Sequence, residues 1–252
     1  MSDRMNVVAQ AAAWLAGYQP QALPSPTRQR AAAELAALID HTLLKPEATA
    51  TMVAQLCAEA RQHSFASVCV NSANAEQCAR ALRGSPVRVC SVVGFPLGAS
   101  LSGAKADEAE RCIALGASEI DMVLNVGALK GGDCDLARDD MAAVARACHA
   151  RQALLKVILE TCLLTEVEKV AACLLAAQAG VDFVKTSTGF YAAGATLEDV
   201  ALMRAVVGPR MGVKAAGGIR TYAAACAMVA AGASRIGASA SVAIVQSAPG
   251  AP

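Results

Sequence analysis

Three charged side chains interrupt apolar segments of the sequence, each near the end of a candidate strand. They are Asp121 in Glu-Ile-Asp-Met-Val-Leu-Asn, Lys185 in Phe-Val-Lys-Thr-Ser-Thr-Gly and Lys214 in Gly-Val-Lys-Ala-Ala-Gly-Gly. On neighbouring strands, repulsion between two ammonium groups and partial burial would both lower the pKa of an amine. A neutral lysine beside a second cation and a proton-carrying carboxylate is what Schiff-base carbon–carbon chemistry requires. We therefore predict that Lys185 forms a Schiff base with a small aldehyde, without a metal ion.

Each of these residues also has a structural interpretation. A strand lysine often extends to solvent or forms an ion pair, and Asp121 would then be only its structural partner. A charge inside an apolar strand is costly unless it is paired or used. Two lysines on adjacent strand ends, with a carboxylate and glycine-containing loops, favour the catalytic interpretation.

A second group of residues predicts a binding site for an anion. Gly217-Gly218-Ile219-Arg220 follows one candidate strand, and Gly237-Ala238-Ser239-Ala240-Ser241 follows the next and opens a helix. Backbone N–H groups at such turns and at a helix N-terminus bind phosphate. Thr186-Ser187-Thr188-Gly189 adds further donors after the strand that carries Lys185.

The elements that must position these residues alternate along the chain. Short apolar runs, typical of strands buried on both faces, are separated eight times by amphipathic helical segments. This pattern predicts an α/β fold, a (β/α)8 TIM barrel formed as one domain by residues 29–252, with functional residues at the C-terminal strand ends. The predicted strands are Leu38–His41, Ser67–Asn71, Arg88–Gly94, Glu119–Asn125, Leu154–Glu160, Asp182–Ser187, Gly212–Ala216 and Arg235–Ala238.

Residues 1–28 are interpreted as an N-terminal extension or arm. A short helix is expected around Val7 to Leu15, and the three prolines between Tyr18 and Pro26 oppose regular structure after it. This apolar arm is a candidate contributor to a subunit interface.

Composition narrows the classes of function. The chain has 252 residues, a formal net charge of +1, 10 cysteines and three histidines. Mixed charges give no reason to expect nucleic acid or a membrane as partner. Without a histidine cluster or a Cys-x-x-Cys pair, no metal site is expected. The cysteine pattern, with no signal peptide or membrane span, predicts a cytoplasmic protein, with Cys134 as its exposed thiol.

The sequence resembles the deoxyribose-phosphate aldolase family from about Leu38 to Val245. The segments that carry the resemblance are Ile39-Asp-His-Thr-Leu-Leu-Lys-Pro46, Ser67-Val-Cys-Val-Asn71, Val92-Val-Gly-Phe-Pro-Leu-Gly98, Gly116-Ala-Ser-Glu-Ile-Asp-Met-Val-Leu-Asn-Val-Gly127, Leu155-Lys-Val-Ile-Leu-Glu-Thr161, Phe183-Val-Lys-Thr-Ser-Thr-Gly-Phe190 and Val213-Lys-Ala-Ala-Gly-Gly-Ile-Arg220. Seven matches in the same order make the resemblance specific.

The resemblance implies a class I aldolase that reversibly cleaves 2-deoxy-D-ribose 5-phosphate to D-glyceraldehyde 3-phosphate and acetaldehyde, without a cofactor. It implies that Lys185 is the Schiff-base lysine, that Lys214 lowers its pKa and that Asp121 takes part in proton transfer. Further family positions line the pocket: Asp40, Cys69 and Lys156. The phosphate would be held by Gly189, Gly217, Gly218, Arg220, Gly237 and Ser239.

One position departs from the family pattern. Relatives usually carry two adjacent serines after the glycine of the last loop, whereas this chain has Ser239 followed by Ala240. Ser241 is a potential replacement for the missing hydroxyl. Two alternative functions remain open. One is a Schiff-base aldolase for a different or unphosphorylated aldehyde sugar, and the other is a catalytically inactive barrel that binds sugar phosphates. Relatives are often dimers, so a homodimer is expected.

Overall fold

The structure is a computed structural model that describes residues 7–20, 22 and 30–249. Eight parallel strands, β1 to β8, form a closed barrel in sequential order, and each pairs with its neighbours in the chain while β8 pairs with β1. Their bounds are Ile39–Leu43, Ser67–Val70, Arg88–Val93, Glu119–Val123, Leu154–Ile158, Phe183–Lys185, Gly212–Ala216 and Arg235–Ala238. The predicted TIM barrel is thereby confirmed, with several strands shorter than predicted.

Helices α1 to α11 surround this barrel. Their bounds are Val7–Gly17, Ala32–Ala36, Ala50–His63, Ala75–Ala81, Ser102–Ala114, Val126–Lys130, Cys134–His149, Glu166–Gln178, Leu197–Val207, Tyr222–Ala230 and Ser241–Gln246. Helix α3 shows how they pack, because Val53, Leu56, Cys57 and Ala60 recur at helical spacing and all four are buried. This apolar side of the helix covers the outer face of the sheet, so the strands are buried on both sides.

The strand register places the predicted site residues side by side in two pairs. Lys185 in β6 is paired with Lys214 in β7, and Asp121 in β4 is paired with Lys156 in β5. Since side chains alternate between the two faces of a strand, residues two apart point to the same side. Glu119 therefore shares the face of Asp121.

The N-terminal helix is present as expected, from Val7 to Gly17. It packs along α8, and Trp14 near its end stacks on Tyr18 with ring centroids 5.0 Å apart. The predicted irregular segment up to Pro26 lies mostly outside the described residues.

Two further expectations concern the surface and the cysteines. Among the described helices, none is both long and apolar enough to cross a membrane. All ten cysteines are free, and Cys57, Cys112, Cys148 and Cys173, at apolar positions of helices, are buried. The expectation for Cys134 is wrong: it is only partly accessible, whereas Cys162, in the turn after β5, is the exposed thiol.

Candidate active site

Asp121 lies at the centre of the barrel and contacts three lysines. One carboxylate oxygen, Oδ2, is 2.8 Å from Nζ of Lys185 and 2.7 Å from Nζ of Lys214. The other, Oδ1, is 2.7 Å from Nζ of Lys156. All four side chains are buried, and they come from four consecutive strands. The structure therefore brings together the three predicted catalytic residues and one of the predicted pocket residues.

Charge–charge attraction outweighs burial at these groups. Burial alone would raise the pKa of Asp121, but the ammonium groups of Lys156, Lys185 and Lys214 hold that pKa well below its usual range. Burial alone would lower the pKa of Lys156, yet Asp121 and other acidic neighbours raise it well above its usual range. Asp121 is therefore ionised and Lys156 is protonated near neutral pH.

The surroundings of Lys214 keep this lysine positively charged. Burial acts to lower its pKa, but the carboxylates of Asp121 and Asp40 raise the pKa above its usual value. Asp40 is a close partner, with Oδ2 2.5 Å from Nζ of Lys214. Mutual repulsion and burial thus do not make Lys214 neutral, because two buried carboxylates offset them. Lys214 is therefore the permanently charged second cation in the predicted group of Lys185, Lys214 and Asp121.

Below these residues lies an ion-pair group that sequence reasoning missed. Arg235 in β8 donates to Oδ1 of Asp40 at 2.6 Å and to Oε2 of Glu119 at 3.0 Å. Glu119 also accepts from Lys156, with 2.7 Å between Oε2 and Nζ. Glu119 and Arg235 are the first residues of their strands, where a charge usually faces solvent. The sequence signal that could have found them is their spacing: Glu119 lies two residues before Asp121 and Arg235 two residues before Gly237, so each shares a strand face with a site residue.

The same cluster contains groups that resemble metal ligands. Ligand atoms of Asp40, Cys90 and Glu119 lie within 4.8 Å of one another, as do those of Cys69, Cys90 and Asp121. A lysine ammonium already interacts with these groups, because Nζ of Lys156 is 2.7 Å from both Glu119 and Asp121 and 3.3 Å from Sγ of Cys90. Lys156 is thus already a cationic partner of Cys90, Glu119 and Asp121.

A cavity of about 320 Å³ opens above Lys185 at the C-terminal ends of β1, β6, β7 and β8. Lys185 is 2% exposed and lines this cavity. The predicted phosphate residues line the same cavity: Gly189, Gly217, Gly218, Arg220, Gly237 and Ser239. Lys45, which the sequence analysis did not single out as a site residue, adds an exposed cation to the wall. The nucleophile candidate and the anion-site candidate therefore share one cavity.

Unpaired backbone donors characterise this cavity. In the part of the chain that the structure describes, the N–H groups of Gly189, Gly218 and Ser239 have no acceptor. Backbone N–H groups converging on one space are a common means of binding phosphate in barrels of this kind. Together with Arg220 and Lys45, they form a site suited to an anion.

Two glycines make room for this arrangement. Gly217 has a φ of +89°, and a Cβ there would lie 2.9 Å from Cα of Gly194. A Cβ at Gly237 would lie 3.1 Å from Cε of Lys214 and 3.0 Å from Cβ of Ala216. Gly237 therefore leaves the space that the Lys214 side chain needs.

The remaining predicted residues do not line the cavity directly. Cys69 and Asp40 are fully buried beneath it, and Sγ of Cys69 is 4.0 Å from Oδ2 of Asp121. Ser241 is buried and donates its hydroxyl to the Ala238 carbonyl at 2.8 Å. Its hydroxyl is therefore already engaged, which argues against Ser241 as a replacement donor at Ala240.

Comparison with known proteins gives a consistent result. Residues 35–247 match the sequence profile of the DeoC/LacD family aldolases. A deoxyribose-phosphate aldolase from Brevibacillus brevis is 61% identical over 207 residues, which cover 82% of this chain and 93% of the relative. One from Clostridium perfringens is 56% identical over 213 residues, covering 84% and 95%.

Solved structures agree with the sequence relatives. A structure from Coccidioides immitis is 41% identical, with a TM-score of 0.89 and 98% of each chain covered. The deoxyribose phosphate aldolase of Aeropyrum pernix, described as having a unique tetrameric structure, is 30% identical, with a TM-score of 0.82 and 98% of each chain covered. The resemblance noted in the sequence is confirmed, and the chain belongs to the DeoC/LacD family of aldolases.

Proposed function

We propose that this protein reversibly cleaves 2-deoxy-D-ribose 5-phosphate to D-glyceraldehyde 3-phosphate and acetaldehyde through a Schiff base on Lys185. The observation that carries the proposal is the cavity that joins Lys185 to the Gly189, Gly218 and Ser239 donors. Such a cavity suits a small molecule with a carbonyl group at one end and an anion at the other.

The close contacts in the barrel interior support the role of Lys185. Among the described residues, the buried carboxylates of Asp40, Glu119 and Asp121 contact the basic groups of Lys156, Lys185, Lys214 and Arg235. Lys185 and Lys214 share Oδ2 of Asp121, so the nucleophile lies beside both a carboxylate and a second lysine, as Schiff-base chemistry requires.

The reaction then proceeds in balanced steps. The Lys185 amine adds to the C1 aldehyde, and uptake of one proton with loss of one water molecule gives an iminium ion. A water molecule accepts the C3 hydroxyl proton, the C3 oxygen becomes a carbonyl as the C2–C3 bond breaks, and the electron pair of that bond moves to the iminium to form an enamine. Glyceraldehyde 3-phosphate leaves, the enamine takes a proton from water at C2, and hydrolysis releases acetaldehyde, Lys185 and the proton taken up at the start.

Asp121 and Lys214 support these steps in different ways. Asp121 holds the Lys185 nitrogen at 2.8 Å, and its ionised carboxylate stabilises the positive iminium. We propose that protons reach the substrate through a water molecule near Asp121, because the lowered pKa makes this carboxylate a weak base by itself. Lys214, whose pKa Asp121 and Asp40 raise above its usual value, keeps its proton and stays a cation beside the nucleophile.

A second candidate substrate is an unphosphorylated deoxy sugar or simple aldehyde. It is favoured by Ala240, which has no hydroxyl, and by the Ser241 hydroxyl being bound to Ala238. The loss of one charge-assisted hydrogen bond would weaken phosphate binding by about 1.5–3 kcal/mol.

A coupled assay of acetaldehyde release separates the two candidates. We expect kcat/KM for 2-deoxyribose 5-phosphate to exceed that for 2-deoxyribose, because Arg220, Lys45 and the free N–H groups attract the phosphate. Equal values for both sugars would favour the second candidate. If neither sugar released acetaldehyde, both candidate substrates would be contradicted, and a catalytically inactive protein that binds sugar phosphates would be favoured.

Assembly and location follow as further proposals. We propose a homo-oligomer, with a dimer as the smallest unit; the tetrameric relative from Aeropyrum pernix supports self-association. Light scattering coupled to gel filtration would give its mass. Ten free cysteines support a location in the reducing cytoplasm.

A further inference from the structure

Glu160 is a buried carboxylate at the end of β5 that the mechanism above does not use. Its side chain is 1% exposed, and no nitrogen of a described Lys, Arg or His lies within 4.0 Å of it as an ion-pair partner. Its backbone has a φ of +57°, a region that residues with a Cβ rarely adopt. A buried carboxyl group without a cationic partner on a strained backbone is costly, and such features concentrate at functional sites.

The backbone on both sides of Glu160 is bonded to the strand that carries the nucleophile. The Leu159 N–H donates to the Lys185 carbonyl at 2.9 Å, and the Thr161 N–H donates to the Thr186 carbonyl at 3.0 Å. Glu160 therefore stands directly beside the point where β6 becomes the cavity loop.

The Glu160 side chain organises the next part of this loop. Its Oε2 accepts from the Thr188 N–H at 3.2 Å and also from the Thr188 hydroxyl. That hydroxyl oxygen in turn accepts from the Phe190 N–H at 3.1 Å. The N–H groups on both sides of Gly189 are thus used within the loop, and the Gly189 N–H between them is left without an acceptor in the described structure.

We propose that Glu160 is a positioning residue that fixes the loop so that the Gly189 N–H faces the phosphate group of the substrate. A carboxyl group adds no attraction to a bound phosphate, so the contribution of Glu160 must come from geometry. This inference rests on the proposed function, since it assigns a role within the same cavity.

Lys185 is held by contacts that do not involve the Glu160 side chain. The Thr186 hydroxyl accepts from the Ala216 N–H at 3.1 Å and donates to the Ala216 carbonyl at 3.0 Å, which ties the start of the loop to β7. Loss of the Glu160 carboxylate should therefore disturb phosphate binding while leaving the nucleophile in place.

The test compares two substrates in three variants. For Glu160→Ala, we expect KM for 2-deoxyribose 5-phosphate to rise about 10-fold to 100-fold, the effect of losing a hydrogen bond to a charged group. The kcat/KM for 2-deoxyribose should stay within about 2-fold of wild type, because that sugar has no phosphate to hold. Thr188→Val should reproduce this selective loss, and Glu160→Gln, which keeps an acceptor oxygen, should restore most of the affinity.

The controls separate this inference from the proposed function. Glu166→Ala removes an exposed carboxylate near Glu160 and should leave both substrates unaffected. If wild type cleaves neither sugar, the proposed function fails. If wild type prefers the phosphorylated sugar but Glu160→Ala and Thr188→Val impair both sugars equally, or neither, the positioning role of Glu160 is wrong. Thr188→Val leaves the strained backbone untouched and provides the answer if Glu160→Ala does not fold.

Discussion

Replacing Asp121 by asparagine tests the central ion cluster, because the side chain keeps its shape and loses only its charge. Lys156 and Lys214 would each retain a carboxylate partner, Glu119 at 2.7 Å and Asp40 at 2.5 Å. Lys185 has no second carboxylate within 4.0 Å among the described residues. Asp121→Asn therefore leaves one buried lysine without an acid and two with one acid fewer.

The expected loss of stability follows from the number of lysines that lose a carboxylate partner. Removing one partner of a buried ion pair costs about 3–5 kcal/mol. In a domain of this size, each kcal/mol lowers the melting temperature by about 2–4 °C, so we expect a fall of about 6–20 °C at pH 7. Typical domains are stable by about 5–15 kcal/mol, so the variant should still fold.

The pH dependence gives the sign of the effect. The pKa of Asp121 is lowered in the folded state, so its charge stabilises wild type above the unfolded pKa of about 3.9. This contribution is lost as the pH falls through the folded pKa. The difference in the free energy of unfolding between wild type and Asp121→Asn should therefore be large at neutral pH and should decrease below about pH 4.

Urea unfolding, followed by circular dichroism between pH 3 and pH 8, would measure the difference in the free energy of unfolding between the two proteins with a precision of about 1 kcal/mol. Asp139→Asn is a matched control, because Asp139 pairs with Arg138 on the surface and should leave the urea midpoint unchanged. A neutral-pH difference no larger than that of the control, or one that grows as the pH falls, would refute the reasoning.

Two other substitutions test neighbouring groups. Lys214→Met removes the cation that shares Oδ2 of Asp121 with Lys185, so the adduct between Lys185 and acetaldehyde should form at least about tenfold more slowly, the effect of losing a hydrogen bond to a charged group. Quenched-flow trapping with borohydride measures this, and Lys130→Met, at an exposed lysine, should behave as wild type. Arg220→Ala should raise KM for 2-deoxyribose 5-phosphate about tenfold or more and leave 2-deoxyribose unchanged in the acetaldehyde assay. An equal loss of activity with both sugars would show that Arg220 does not bind the phosphate.

The strands and the central charged residues could be predicted from the sequence for a simple reason. Apolar runs mark strands buried on both faces, and Asp121, Lys185 and Lys214 stand out as charges inside them. The order of the strands then places the carboxyl ends at one mouth of the barrel. These features are local in the sequence.

The parts that were missed depend on three-dimensional geometry. Glu119 and Arg235 begin their strands, and only the barrel register shows that they point inward and meet Asp40 and Lys156. The left-handed backbone at Glu160 ends β5 earlier than the apolar pattern indicates. The raised pKa of Lys214 likewise depends on two carboxylates from β1 and β4, which are distant in the sequence.

The central claim is that Lys185 is the nucleophile, and covalent trapping tests it most directly. Incubation with acetaldehyde and borohydride should convert one lysine to an N-ethyl adduct, detected by mass spectrometry of the intact protein and located by peptide mapping. We predict a single N-ethyl adduct on Lys185 that is absent from Lys185→Arg. The same adduct should form when 2-deoxyribose 5-phosphate replaces acetaldehyde, because cleavage of that sugar leaves the acetaldehyde iminium on the nucleophile. An adduct on Lys214 or Lys156 in its place, or none at all, would contradict the account.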